Sequence, residues 1–214
     1  PADLVATEVK VKSHDGAMVP LSIIHRKGVV LDGSNPTLLY GYASYGITEE
    51  PMFSVGRLAW LDAGGVFAVA NPRGSGVNGQ DWYKSGFQSS KPNTWKDFIA
   101  CAEYLIAEKY TQPGKLGILG GSAGGILVGR AMTERPDLFA AVVAAVGALD
   151  SVRFESTPNG VPNIPEFGSI KTEAGFKALL AMSTYANIVP GTAYPAVLLT
   201  HGVNDPRVEV WQST

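Results

Sequence analysis

The 214 residues read as one α/β domain, a mostly parallel sheet with helices on both faces, entered through an antiparallel hairpin. Three observations predict this. Short apolar runs alternate with amphipathic stretches along most of the chain, the pattern of parallel strands buried on both faces. The first 27 residues instead alternate apolar and polar positions around an Asp-Gly pair, the pattern of a hairpin. The run Leu116-Gly117-Ile118-Leu119 then gives way at once to Gly120-Gly121-Ser122-Ala123-Gly124-Gly125 and a helical pattern, a turn too tight for ordinary residues.

Taken in order, residues 5–12 and 19–27 pair as strands with Val9, Val11, Val19, Leu21 and Ile23 on one face, joined by Ser13-His14-Asp15-Gly16. His14 in that turn and His25 at the strand end read as ordinary loop and strand-end residues. Residues 36–42 form a short strand running into Tyr40-Gly41-Tyr42-Ala43-Ser44-Tyr45-Gly46. A helix over 53–62 follows, then a buried strand over 65–70 and a helix from Thr94 to Lys109. The strand before Ser122 leads into a helix reaching Arg135. A strand from Ala140 to Val146, a helix over 173–182 and a strand over 196–200 complete the alternation.

Two longer segments interrupt it. Residues 71–93 carry Asn71-Pro72-Arg73-Gly74-Ser75-Gly76 with Trp82, Tyr83 and Phe87; residues 150–169 carry Phe154, Pro158, Pro162, Pro165 and Phe167. Loops this long in a compact domain are usually functional, and both leave strand C-terminal ends, where such sheets bind ligands. The plainer alternative is surface covering.

Composition narrows the classes. A chain 45% hydrophobic and 17% charged fits a globular domain, and a net charge of −2 gives no electrostatic footprint for nucleic acid or an anionic membrane. Cys101 is the only cysteine, which excludes an intrachain disulfide and cysteine-based metal sites; its helical apolar surroundings make it core filler. No metal or cofactor is expected. No apolar run reaches the length of a membrane span, and Pro1-Ala2-Asp3 does not open a signal peptide. Cytoplasm and periplasm of a bacterium-like source both remain open, as does the oligomeric state.

Gly120-x-Ser122-x-Gly124 is the nucleophile-elbow pattern in its required strand–turn–helix setting. A chain with 25 glycines meets that pattern by chance as well; the setting is what selects the functional reading. Ser122 is the expected nucleophile, lifted clear of the sheet, with a helix N-terminus beneath it for a developing oxyanion. A serine hydroxyl needs a histidine to take its proton and a carboxylate to orient that histidine. In α/β-hydrolases, the architecture these strands suit, the chain order is serine, acid, histidine. Asp205 follows the last apolar strand and is the expected acid. Asp150 is the rival, better placed to line a lid. His14, His25 and His201 all precede Asp205, so the base is expected beyond Thr214. The 214 residues alone are then expected to show at most trace turnover.

Four spaced motifs, Gly120-Gly121-Ser122-Ala123-Gly124-Gly125, Arg135-Pro136-Asp137-Leu138-Phe139, Asn71-Pro72-Arg73-Gly74-Ser75-Gly76 and Asn204-Asp205-Pro206-Arg207-Val208, resemble the prolyl oligopeptidase family of serine peptidases. The resemblance runs from about Glu8 to the last residue and covers the peptidase domain only; the family's β-propeller has no counterpart. It implies Ser122 as nucleophile, Asp205 as acid, the Tyr42 hydroxyl and the Ala123 N–H as the oxyanion hole, and Arg207 as a binder of a substrate carbonyl. For Arg207 a salt bridge holding the acid loop is the alternative. Where the family stacks a tryptophan on the substrate proline this chain has Asn163, leaving Phe154, Phe167 or Tyr45 as the aromatic platform. The implied activity is cleavage of short peptides, after proline if that platform forms. A carboxylesterase or feruloyl-type esterase acting on small esters, and a catalytically silent fragment or binding module, are the other readings.

Overall fold

The computed structural model describes residues 3–214. Pro1 and Ala2, which belong to the opening expected not to form a leader, lie outside the described residues. Strands β1 (Leu4–Lys12) and β2 (Met18–Arg26) pair antiparallel in continuous register from Leu4 opposite Arg26 to Lys12 opposite Met18. Gly16, at φ 91°, makes the predicted turn between them, and the Asp15 side chain accepts the Ala17 N–H at 3.2 Å.

Strands β3 (Thr37–Tyr40), β4 (Val66–Ala70), β5 (Leu116–Gly121), β6 (Ala141–Ala145) and β7 (Ala196–Thr200) complete a seven-stranded sheet of order β1-β2-β4-β3-β5-β6-β7. β2 pairs antiparallel with β4, and every pairing from β4 onward is parallel. This is the predicted α/β-hydrolase arrangement. Alternating side chains divide between the faces: Phe67 and Val69 pack with Leu61 of α1 (Val55–Asp62), while Val66, Ala68 and Ala70 join the larger core. That core includes the buried faces of α3 (Pro92–Ala107) and α4 (Gly124–Glu134), with Cys101 inside it as expected.

The two long segments are less irregular than expected: the first contains α2 (Gln80–Lys84), the second α5 (Ile164–Phe167), and α6 (Glu173–Met182) follows. Helix α3 begins two residues before the expected Thr94 because Pro92 occupies its first turn, where a missing N–H costs nothing. The larger correction concerns β7. Its apolar run reads like the buried strands, yet Val197, Leu198 and Leu199 are 48%, 56% and 39% exposed. β7 stands at the sheet edge and pairs only with β6 among the described residues, so the same side chains find no second neighbour. Among the described residues no helix is long and apolar enough to cross a membrane.

Strand order also places the site. β3 lies between β4 and β5, so the chain leaves β3 toward one side and later returns on the other. The crevice at such a reversal, beyond the strand C-termini, is where open α/β sheets bind ligands. Tyr40 stands opposite Leu119, so the segments following β3 and β5 begin side by side.

Candidate active site

Ser122 sits directly after β5 at φ 54°, a left-handed conformation costly for a residue with a β-carbon. Backbone bonds hold it there. Its N–H donates to the Ala145 carbonyl, and its own carbonyl accepts from Gly125 and Ala148, all at 2.9 Å. The flanking glycines sit at close backbone contacts: a β-carbon on Gly120 would lie a prohibitive 2.4 Å from the Gly124 carbonyl oxygen, and one on Gly124 a tight 3.0 Å from that of Gly41. Gly125 adds a further such contact, since its β-carbon would meet Gly147 Cα at 2.6 Å. Ser122 is half-buried and opens onto a cavity of about 330 Å³.

Two donors meet at that opening. Tyr42 and Ser122 face the same cavity. Burial raises the Tyr42 phenol above its ordinary pKa, against a smaller opposing pull from Ser122, so it stays a neutral O–H donor. Ala123 is buried on the cavity wall, and its N–H has no acceptor among the described residues.

Every remaining binding residue expected from the sequence lines the same cavity: Tyr45, Phe154, Asn163, Phe167 and Arg207. Tyr45 meets Phe167 edge-on at 5.5 Å between ring centroids, and Phe154 lies 6.1 Å from Phe167. Asn163 does not stand in for a platform. Its Oδ1 accepts the Tyr45 hydroxyl, its Nδ2 donates to the Asn159 carbonyl at 2.6 Å, and Asn159 Nδ2 donates to the Arg207 carbonyl at 3.0 Å. This chain of amides ties three loops into one rim. The Arg207 guanidinium is exposed and forms no ion pair among the described residues. Ile47, Ala148, Asn159 and Val208 also line the cavity without having been expected there; only Ala148, just past a strand C-terminus, carries a positional signal.

The loop bearing Tyr42 is itself strained, with Ala43 at φ 57° and Tyr45 at φ 58°. It is buttressed by the Asn-Pro-Arg-Gly-Ser-Gly segment: a β-carbon on Gly74 would lie 2.4 Å from the Ala43 oxygen, and one on Gly76 2.2 Å from the Gly46 oxygen. Gly46 N–H donates to the Gly74 carbonyl at 3.1 Å. On its other side the Tyr45 N–H donates to Glu166 at 2.8 Å, and Lys91 donates to the Ala43 carbonyl at 2.7 Å. Burial pushes the Lys91 ammonium down to about 8 and raises the phenols of Tyr45 and Tyr83.

Asp205 lies in the loop after β7. Its Oδ1 accepts the N–H groups of Arg207 and Val208, each at 2.9 Å, and these bonds lower its pKa. Its Oδ2 has no partner among the described residues. Asp205 is not on the cavity wall, but Arg207 and Val208, which it fixes, are. Asp150, the rival acid, is not on the cavity wall: it is buried, accepts the N–H groups of Val152 and Arg153, and pairs with Arg153 at 2.5 Å. None of the three histidines reaches the cavity. His201 spends both ring nitrogens locally, on Ser213 Oγ at 2.8 Å and the Val208 carbonyl at 2.7 Å. His14 stays at the hairpin turn and His25 donates to its neighbour's carbonyl. Among the described residues no three His, Cys, Asp or Glu side chains cluster to hold a metal.

Sheet order and turn together define an α/β-hydrolase whose elbow carries a serine. The chain belongs to the prolyl oligopeptidase family, whose sequence profile matches residues 51–214. It is 37% identical over 209 residues to the prolyl endopeptidase of Elizabethkingia meningoseptica, covering 97% of this chain and 30% of that protein. A structure from a mechanistic study of two prolyl endopeptidases superposes with a TM-score of 0.95 at 46% identity, covering 97% of this chain and 31% of that one. Prolyl oligopeptidase B from Galerina marginata superposes at 0.96 with 34% identity, covering 100% and 30%. The chain thus spans about 30% of the length of these relatives.

Proposed function

We propose that this domain hydrolyses peptide bonds of short peptides through an acyl-enzyme. Ser122 Oγ attacks the scissile carbonyl carbon and its proton passes to a histidine other than His14, His25 and His201. The Tyr42 hydroxyl and the Ala123 N–H receive the oxyanion. The C–N bond then breaks as the histidine protonates the leaving amine, and water releases the acyl group from Ser122 by the same steps. Asp205 orients the histidine through Oδ2, its Oδ1 being held by backbone donors. In Galerina structures with bound 25mer or 35mer substrate, an aspartate or a serine is replaced by alanine, and the two are spaced as Asp205 and Ser122 are here to within one residue.

The observation that carries the reading is the convergence of a strained Ser122 and two oxyanion donors on one cavity. The wall favours a compact neutral residue before the scissile bond. It offers four aromatic rings, and among the described residues its one charged side chain is the cation Arg207, so a lysine or arginine would find no carboxylate there. Proline fits these terms. The test is hydrolysis of Z-Gly-Pro anilide against a p-nitrophenyl ester by the full-length protein. Amide turnover that Ser122→Ala abolishes is expected; ester turnover without amide turnover would reject the peptidase reading in favour of an esterase.

A further inference from the structure

A buried ion pair lies outside the reacting groups but touches the loop that carries them. Lys91, just before α3, and Glu166, in α5, are almost without solvent exposure and stand 3.9 Å apart. Neither lines the cavity. An ammonium has three donors to place. Lys91 gives one to the Ala43 carbonyl at 2.7 Å and one to Ser44 Oγ at 2.6 Å, and turns the remaining side toward Glu166. Glu166 accepts the Tyr45 N–H on Oε1 at 2.8 Å and the Tyr83 hydroxyl on Oε2 at 2.5 Å. Three consecutive residues, 43 to 45, are thereby gripped from two distant elements.

Packing does not require this arrangement. A buried ion pair adds little stability over apolar side chains of the same volume. What apolar groups cannot supply is directional bonding to a backbone that would otherwise relax. Ala43 and Tyr45 both hold positive φ without being glycine, a strain that persists only where the surroundings over-determine it. Tyr42 immediately precedes this segment, and Tyr45 forms part of the cavity wall.

We propose that Lys91 and Glu166 are a positioning pair: by fixing the backbone of residues 43–45 they set the Tyr42 hydroxyl beside Ser122 and the Tyr45 ring against the substrate. The inference rests on Tyr42 being an oxyanion donor. It is tested by kcat and KM on the anilide for full-length Lys91→Met, Tyr42→Phe and the double variant. Loss of one oxyanion donor lowers kcat on the order of 10²-fold, the expectation for Tyr42→Phe. Lys91→Met is expected to lower kcat by about ten-fold, with KM within about three-fold, because it weakens a bond made in the transition state. In the Tyr42→Phe background the same change should cost less than about two-fold, since the hydroxyl it positions is already gone. Independent losses that multiply in the double variant, or wild-type kcat in Lys91→Met, would overturn the pair's role. If Lys91→Met fails to fold, the isosteric Glu166→Gln takes its place in the cycle: a loss absorbed by Tyr42→Phe supports the pair, and a multiplying loss or wild-type kcat overturns it. Failure of the underlying reading looks different: turnover surviving Ser122→Ala removes the hydrolase itself. Wild-type kcat in Tyr42→Phe removes the donor, and the positioning role with it.

Discussion

Gly120 and Gly124 bring strand and helix together so closely that a β-carbon on the first would stand 2.4 Å from the carbonyl oxygen of the second. The contact is backbone against backbone, with no flexible side chain to yield. Gly120→Ala is therefore expected to destabilise the fold by about 1–3 kcal/mol, the usual cost of overpacking, and to displace Ser122. Urea denaturation of the full-length protein reads the first effect and kcat the second. An unchanged midpoint with full activity would mean the elbow is looser than its geometry states.

That steric demand is why the turn is legible from residue types alone. Glycine at fixed offsets around a serine, between an apolar run and a helical pattern, leaves few other conformations. Asp205 is expected from its place in the loop after an apolar strand, whereas the role of Tyr42 comes only from the resemblance to the family, the apolar pattern of β3 giving no more than where its loop emerges. Other features have no local signal. Glu166 accepts an amide 121 residues away, and Lys91 beside a proline reads as a solvated charge until the fold buries it. β7 fails in the opposite sense: its apolar pattern is that of β5 or β6, and only the number of neighbouring strands decides its exposure.

Arg207 presents an exposed guanidinium to the cavity and is fixed only through its backbone, by Asp205 and Asn159. Arg207→Ala should leave stability within about 0.5 kcal/mol, as surface changes away from special contacts do. A group that holds substrate equally in ground and transition states affects KM alone, so KM for the anilide should rise on the order of ten-fold with kcat within a few-fold. A large fall in kcat at constant KM would instead place Arg207 at the oxyanion.

Asp97 is fully buried and accepts from the Arg73 N–H at 3.0 Å, Nε at 2.9 Å and Nη2 at 2.7 Å, as well as from Ser13 Oγ at 2.5 Å. It thus joins the hairpin turn and the Asn-Pro-Arg-Gly segment to α3. Removing the carboxylate leaves Arg73 buried with only the half-exposed Asp15 as counter-ion. Asp97→Ala is expected to cost about 3–5 kcal/mol by denaturant unfolding, the range for breaking a buried pair from one side. A loss below about 1 kcal/mol would show that Asp15 alone neutralises the arginine.

Lys91 makes stability depend on pH with a definite sign. Burial lowers its folded-state pKa to about 8 from the ordinary 10.5. Between those values the unfolded chain binds a proton that the folded chain does not, so the free energy of unfolding rises with pH. The tyrosines act oppositely and later. Burial raises Tyr40 to about 12 and also raises Tyr45 and Tyr83, so above about pH 10 unfolding releases protons and stability falls again. Burial also raises the Cys101 thiol from its ordinary 9.0, which works against the lysine within the window from about pH 8 to 10, so it is the comparison with Lys91→Met that isolates the lysine. Across it, wild-type protein should gain on the order of 2 kcal/mol relative to Lys91→Met in urea unfolding. Parallel curves for the two proteins would mean that the ammonium is as well solvated when folded as when unfolded, which is incompatible with the enclosure that lets it grip Ala43 and Ser44.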